Sequence, residues 1–162
     1  MAKKMLAVFV FGFFLVLGAE ATMVSFVVIE TGLTQDDGIN QRSVQWENAL
    51  LDAFFDAGYI VSNVPMVRFD SKPSGRLEDL VSRDIVAARA GGAEFLIVAQ
   101  LDYAPGSLSP NDISLVLFSI IPPSSRIHEN QVSGKTYRSE REEMEDLKSI
   151  VGEFVPHLRE RR

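Results

Sequence analysis

Apolar residues occupy both faces over residues 23–30, where Phe26 and Val28 alternate with Val27 and Ile29, and again at the start of residues 94–104. Strands covered on both sides read this way, so both segments are predicted as central, parallel strands. In the second of them Phe95, Ile97, Ala99, Leu101 and Tyr103 keep one face apolar, while Leu96 and Val98 on the other give way to Gln100 and Asp102. That strand opens onto a polar edge at its carboxyl end. Between the two, residues 43–57 form a helix closed by Gly58, residues 59–67 a strand, and residues 77–90 a second helix in which Leu77, Val81, Ile85 and Ala88 fall in line before Gly91 and Gly92. Pro65 cannot donate to a ladder, so the middle strand lies at an edge or is broken there.

Residues 113–121 read as a fourth strand and residues 126–137 as a weak, solvated fifth. Ser139 and Glu142 make a capping box for a last helix, in which Met144, Leu147, Val151, Phe154 and Leu158 form one stripe and Pro156 ends or kinks the last turn. The order is β-α-β-α-β-β-β-α. Strand-helix-strand units demand parallel crossovers, and the short later loops demand antiparallel neighbours. An α/β fold of mixed α+β character follows: a single mixed five-stranded sheet, ordered second, first, third, fourth, fifth, with helices packed on it.

The helix over residues 43–57 breaks the usual proportions. Trp46, Leu50, Phe54 and Phe55, with Val44, Ala49, Leu51, Ala53 and Ala57, cover well over half its circumference, whereas a helix lying on a sheet needs a narrower stripe. Either a second helix covers the flank, or Trp46, Leu50, Phe54 and Phe55 meet a partner. Glu47 sits inside this arc in the expected first turn, where its charge favours the helix N-terminus rather than catalysis.

The chain begins with Lys3 and Lys4, an apolar run over residues 5–18, and Ala19-Glu20-Ala21, the three parts of a secretory signal peptide cleaved before Thr22. Retention as an anchor is the alternative, against which stand the shortness of the run and the lack of any linker before the first strand. Residues 22–162 would then be one domain, exported to a periplasm, with no stable membrane span. Cleavage removes two lysines and one glutamate and takes the net charge from -6 to -7. An acidic chain without a basic cluster is a poor fit to nucleic acid. The absence of cysteine excludes a disulfide framework and an N-terminal lipidated cysteine, so the protein is not expected to be a lipoprotein.

The runs ALLDAFFDAGYIV (residues 49–61) and ARAGGAEFLIVAQLDY (residues 88–103), in this order of elements, resemble the small periplasmic α/β domain shared by the N-terminal domain of TolB, the periplasmic part of CsgG and LpoB. The resemblance spans residues 23 to about 158 and implies an assembly or docking module of the cell envelope. It brings no catalytic residues. The chain departs from it in lacking the lipid-anchoring cysteine usual in CsgG-like and LpoB proteins, the propeller domain of TolB and any pore-forming segment.

Chemistry is sparse. His128 and His157 are far apart in sequence and lack the spacing of zinc ligands, and residues 36–40 lack the alternating ligands of a calcium loop. No metal or other cofactor is expected. One constellation stands out: Glu30 and Asp102 at the carboxyl ends of neighbouring parallel strands, with Asp36, Asp37 and Asp112 on adjoining loops, where open α/β sheets bind ligands. It reads either as an acidic cleft, for a cation, a small solute or a paired-carboxylate hydrolase, or as solvated strand ends. The leading expectation is a non-enzymatic, exported protein-interaction module that docks on an envelope protein or on a second copy of itself.

Overall fold

The computed structural model describes residues 22–33, 40–107, 109–133, 137 and 139–159. Its elements are β1 (Met23–Thr31), α1 (Gln41–Asp56), β2 (Ile60–Asn63), β3 (Val67–Phe69), α2 (Leu77–Leu80), α3 (Ser82–Ala90), β4 (Phe95–Asp102), β5 (Asp112–Ser119), β6 (Ser125–Ser133) and α4 (Glu140–Arg159). The sheet runs β2-β1-β4-β5-β6, with β3 also on β1. β1 is parallel to β2, β3 and β4, while β5 and β6 run antiparallel, so the mixed sheet has the predicted strand order. The expected second strand is two strands. Its ladder stops at Asn63, Val64 donates to the Phe26 carbonyl at 2.7 Å, and pairing with β1 resumes at Val67, beyond Pro65.

Three other boundaries move for local reasons. The second helix is broken at Val81, where the Ser82 hydroxyl bonds back to the Asp79 carbonyl at 3.0 Å and competes with the helical ladder. α1 begins earlier than expected because the Asn40 side chain caps it through the Arg42 N–H at 2.9 Å. Glu47 therefore lies in the second turn, and it accepts from Asn63 rather than serving the helix N-terminus. α4 continues through Pro156 to Arg159; so near its end the proline forfeits only one bond, to the Gly152 carbonyl.

The sheet separates two apolar layers. On one face Phe26, Val28, Ile97, Leu101, Leu115 and Leu117 pack against Trp46, Leu50 and Phe54 of α1 and Leu147, Val151 and Phe154 of α4. On the other, Val27, Ile29, Leu96, Val98 and Phe118 meet Val81, Ile85 and Ala88. α4 thus lies beside α1 on the same face, which explains the over-wide stripe of α1: the sheet covers part of it and α4 covers the rest. Gly32, just after β1, has φ +84°, and a Cβ there would overlap the Tyr103 carbonyl oxygen, so β1 and the end of β4 approach closely only because that side chain is missing.

Candidate functional site

The carboxyl ends of β1, β3 and β4, under the N-termini of α1 and α4, hold a buried polar cluster. Glu30 pairs in register with Arg68 of β3, whose Nε and Nη2 donate to its Oε2 at 2.7 and 2.6 Å. Glu30 is 1% exposed, and its Oε1 has no hydrogen-bond partner among the described residues. Nearby, the Ser43 and Tyr103 hydroxyls lie 2.7 Å apart, tying α1 to the end of β4. Trp46 Nε1 donates to Glu143 Oε1 at 2.6 Å, tying α1 to α4. Arg42 Nη1 stands 3.1 Å from Glu143 Oε2, an ion pair without hydrogen-bond alignment.

Burial pushes the Tyr103 hydroxyl up to about 12, assisted by the Glu30 and Glu143 carboxylates and opposed by its bond to Ser43 and by Arg42. It stays a neutral phenol throughout the physiological range, a donor or acceptor but not a base. Each buried carboxylate here already faces an arginine, and such charge-balanced pairs fix geometry more readily than they activate a reacting group. The cluster acts as a clamp holding α1 and α4 to the sheet.

The acidic cleft does not form as expected. Glu30 stands in register with Leu101, and Asp102 with Thr31, so neighbouring positions send Glu30 to the α1–α4 face and Asp102 to the face of α2 and α3. The sheet itself separates the two carboxyls, which therefore cannot share a cation or a water. Asp102 is engaged by the Thr31 hydroxyl and by Lys72 Nζ at 2.7 Å. That hydrogen bond, with the charges of Asp102 and Asp112, holds the Lys72 ammonium above its ordinary range. Asp112 is the cross-strand neighbour of Asp102, an adjacency set by the β4–β5 register. Asp36 and Asp37 lie outside the described residues. Among the described residues no group of three or more His, Cys, Asp or Glu is arranged to hold a metal ion.

The four aromatic and aliphatic candidates on α1 divide. Trp46, Leu50 and Phe54 are 0%, 0% and 1% exposed, so as partner contacts they are corrected to core. α4 occupies the place a partner would have taken. Phe55 alone faces solvent, at 68% exposure. The two histidines, distant in sequence, stack with ring centroids 4.3 Å apart, and His128 meets Phe154 edge-on at 4.9 Å. His128 Nε2 is buried without a partner among the described residues, and burial and then His157 lower its pKa, against the pull of Glu153. Glu143 was not singled out by pattern. Its signal was its phase, since Glu143, Leu147, Ile150 and Phe154 follow at helical spacing along the buried side of α4.

A mixed α+β domain with one mixed sheet, internally neutralised polar ends and open outer strands is the class that these observations define. Residues 23–116 match the model of a family described as "Uncharacterised protein", and the chain belongs to that family. No curated protein matches the chain. Among solved structures, a PelC dodecamer from Paraburkholderia phytofirmans is similar at 13% identity, over 85% of this chain and 87% of that one, with a TM-score of 0.44. The hypothetical protein CT253 from Chlamydia trachomatis is similar at 13% identity, over 85% and 97% of the two chains, with a TM-score of 0.46.

Proposed function

We propose that this chain is an exported, non-enzymatic protein-interaction module of a cell envelope, and that it docks through the open edge of β6. The observation that carries this reading is the strand itself: β6 spans nine residues at the end of the sheet and, among the described residues, pairs with β5 alone. An edge strand of that length offers a row of backbone donors and acceptors to an added strand from another chain. Arg126, Glu129 and Gln131 are exposed along it, charged and polar side chains that keep such an edge from indiscriminate pairing while leaving it usable by a matched partner. The signal-like N-terminal segment and the resemblance to periplasmic docking domains support an envelope setting. Among the described residues the opposite edge strand, β2, pairs only with β1, so a second copy of the chain is an admissible partner.

The test is photo-crosslinking in cells exporting the full chain, with the reactive group at position 131 on β6 or at exposed position 52 on α1. Recovery of one envelope protein, or of the chain itself, from position 131 and not from position 52 supports edge docking. Equal recovery from both positions, or none from position 131, refutes it.

A further inference from the structure

We propose that the stacked rings of His128 and His157 form an acid-sensitive clasp that holds β6 to α4, so that protonation of the pair frees β6 and withdraws it as a docking edge. The clasp stands on the geometry of the α4–β6 seam. Its consequence for docking rests on the role proposed for β6 and adds a condition under which that role is switched off.

β6 is the movable side of this seam. None of its nine residues is fully buried, whereas α4 carries Leu147, Val151, Phe154 and Leu158 into the core. Opening that frees β6 exposes less apolar surface than opening that lifts α4, and is the cheaper of the two. The ladder to β5 is already interrupted here: Leu117 pairs with His128 and Phe118 with Arg126, so Ile127 is passed over. From this point two polar side chains reach α4. The His128 ring stacks on His157, 24° from parallel with centroids 4.3 Å apart, and meets Phe154 edge-on. Two residues further on, Asn130 Nδ2 donates to Glu153 Oε2 at 2.6 Å.

This arrangement suits neutral rings and rejects charged ones. A neutral imidazole leaves one nitrogen without a proton, and His128 Nε2, buried without a partner among the described residues, can be that nitrogen. An imidazolium donates from both nitrogens, so the same atom would become a buried, unpaired N–H. Two imidazoliums at this spacing also repel. Among the described residues the charges that act on His128 are those of His157, which opposes its protonation, and Glu153, which favours it. From β5 the apolar Leu117 lies opposite His128, while Arg126 and Glu129 of its own strand bond to each other on the other face of the sheet, where Arg126 also reaches Glu78. Glu153 is exposed and one helical turn before His157, so a charged ring meets its counter-ion by turning out of the stack. The carboxylate it then takes is the one that holds Asn130. Acid therefore removes the stack and competes for the second tie together. Burial and then His157 lower the His128 pKa, so the closed seam prefers the neutral ring and is lost as pH falls from the ordinary histidine range toward that lower value.

Amide hydrogen exchange of the full chain at pH 7.5 and pH 5, corrected for intrinsic rates, is the test. Protection over residues 125–133 should fall severalfold at pH 5, while that over residues 95–102 of β4 holds. The chain has two histidines, so both ring titrations can be followed by NMR, and β6 should open over the pH range in which they charge. His128→Phe, which keeps an aromatic ring against Phe154, and His157→Gln should each retain β6 protection at pH 5. Equal protection of β6 at the two pH values, loss of β4 together with β6, opening outside the histidine titrations, or acid opening that persists in either variant overturns the clasp. Crosslinking from position 131 in envelope extracts reads the consequence. Its yield should fall severalfold at pH 5 in the unsubstituted chain and stay level in His128→Phe. A yield that ignores pH while exchange responds overturns the regulation. No crosslink at either pH defeats the docking reading and the regulation with it, while exchange still decides the clasp.

Discussion

Replacing Glu143 with alanine should unlatch α4 from α1. Glu143 is 0% exposed and accepts from Trp46 Nε1, itself fully buried, at 2.6 Å. Without it the indole N–H is buried and unpaired, which costs about 1–3 kcal/mol. Loss of a buried charge pair adds to this, but less than the ~3–5 kcal/mol of a fully enclosed pair, because Arg42 keeps 28% of its side chain exposed and can turn to water. We expect a net loss of about 2–4 kcal/mol, read by urea titration of residues 22–162, with a fall in Tm of roughly 3 °C per kcal/mol at this chain length. The sharper result comes from the cycle with Trp46→Phe and Glu143→Leu. Each single variant strands one buried polar group, whereas the double variant strands neither, so the coupling should be at least about 1 kcal/mol and favour the double. Glu145→Ala, two residues along the helix and 64% exposed, serves as the control and should stay within about 0.5 kcal/mol. A loss below about 0.5 kcal/mol for Glu143→Ala, or singles that simply add, would refute the latch.

Gly32→Ala should destabilise far more than Gly58→Ala in the same titration: both have positive φ and share a backbone cost of about 1–2 kcal/mol, but only the Cβ at 32 meets a carbonyl oxygen. Phe154→Ala should cost about 3–5 kcal/mol, whereas Phe55→Ser, at a solvent-facing position, should stay within about 0.5 kcal/mol in the same titration; a large loss for Phe55→Ser would return that residue to the core. The lowered His128 pKa means that the fold prefers the neutral ring, so unfolding takes up a proton and stability falls as pH drops from the ordinary histidine value toward the lower folded one. His128→Phe, which keeps an aromatic ring against Phe154, should flatten the difference in Tm between pH 7.5 and pH 5; an unchanged difference would place the acid sensitivity elsewhere, with Glu153 and His157 the neighbouring groups to test.

Local patterning settled a large part of this molecule. Two-faced apolar runs marked β1 and β4 as central, Pro65 marked the break between β2 and β3, and the alternation of elements led to the strand order. The reason is that strand and helix periods are set by a few neighbouring residues, and crossover rules leave few ways to arrange them. Long-range placement decided the rest. Whether the apolar excess of α1 was an interface or a core depended on where α4 lies, and α4 lies on it, so Trp46, Leu50 and Phe54 are buried and Phe55 is not. The alternation of β1 and β4 already sent Glu30 and Asp102 to different sides of their own strands, but only the inter-strand register aligned Glu30 with Leu101 and Thr31 with Asp102, fixing those sides as opposite faces of one sheet. The stacking of His128 on His157, and the meeting of Trp46 with Glu143 across 97 residues, arise where separate elements dock. A sequence records which face of an element is apolar; what that face touches is fixed only when the elements pack.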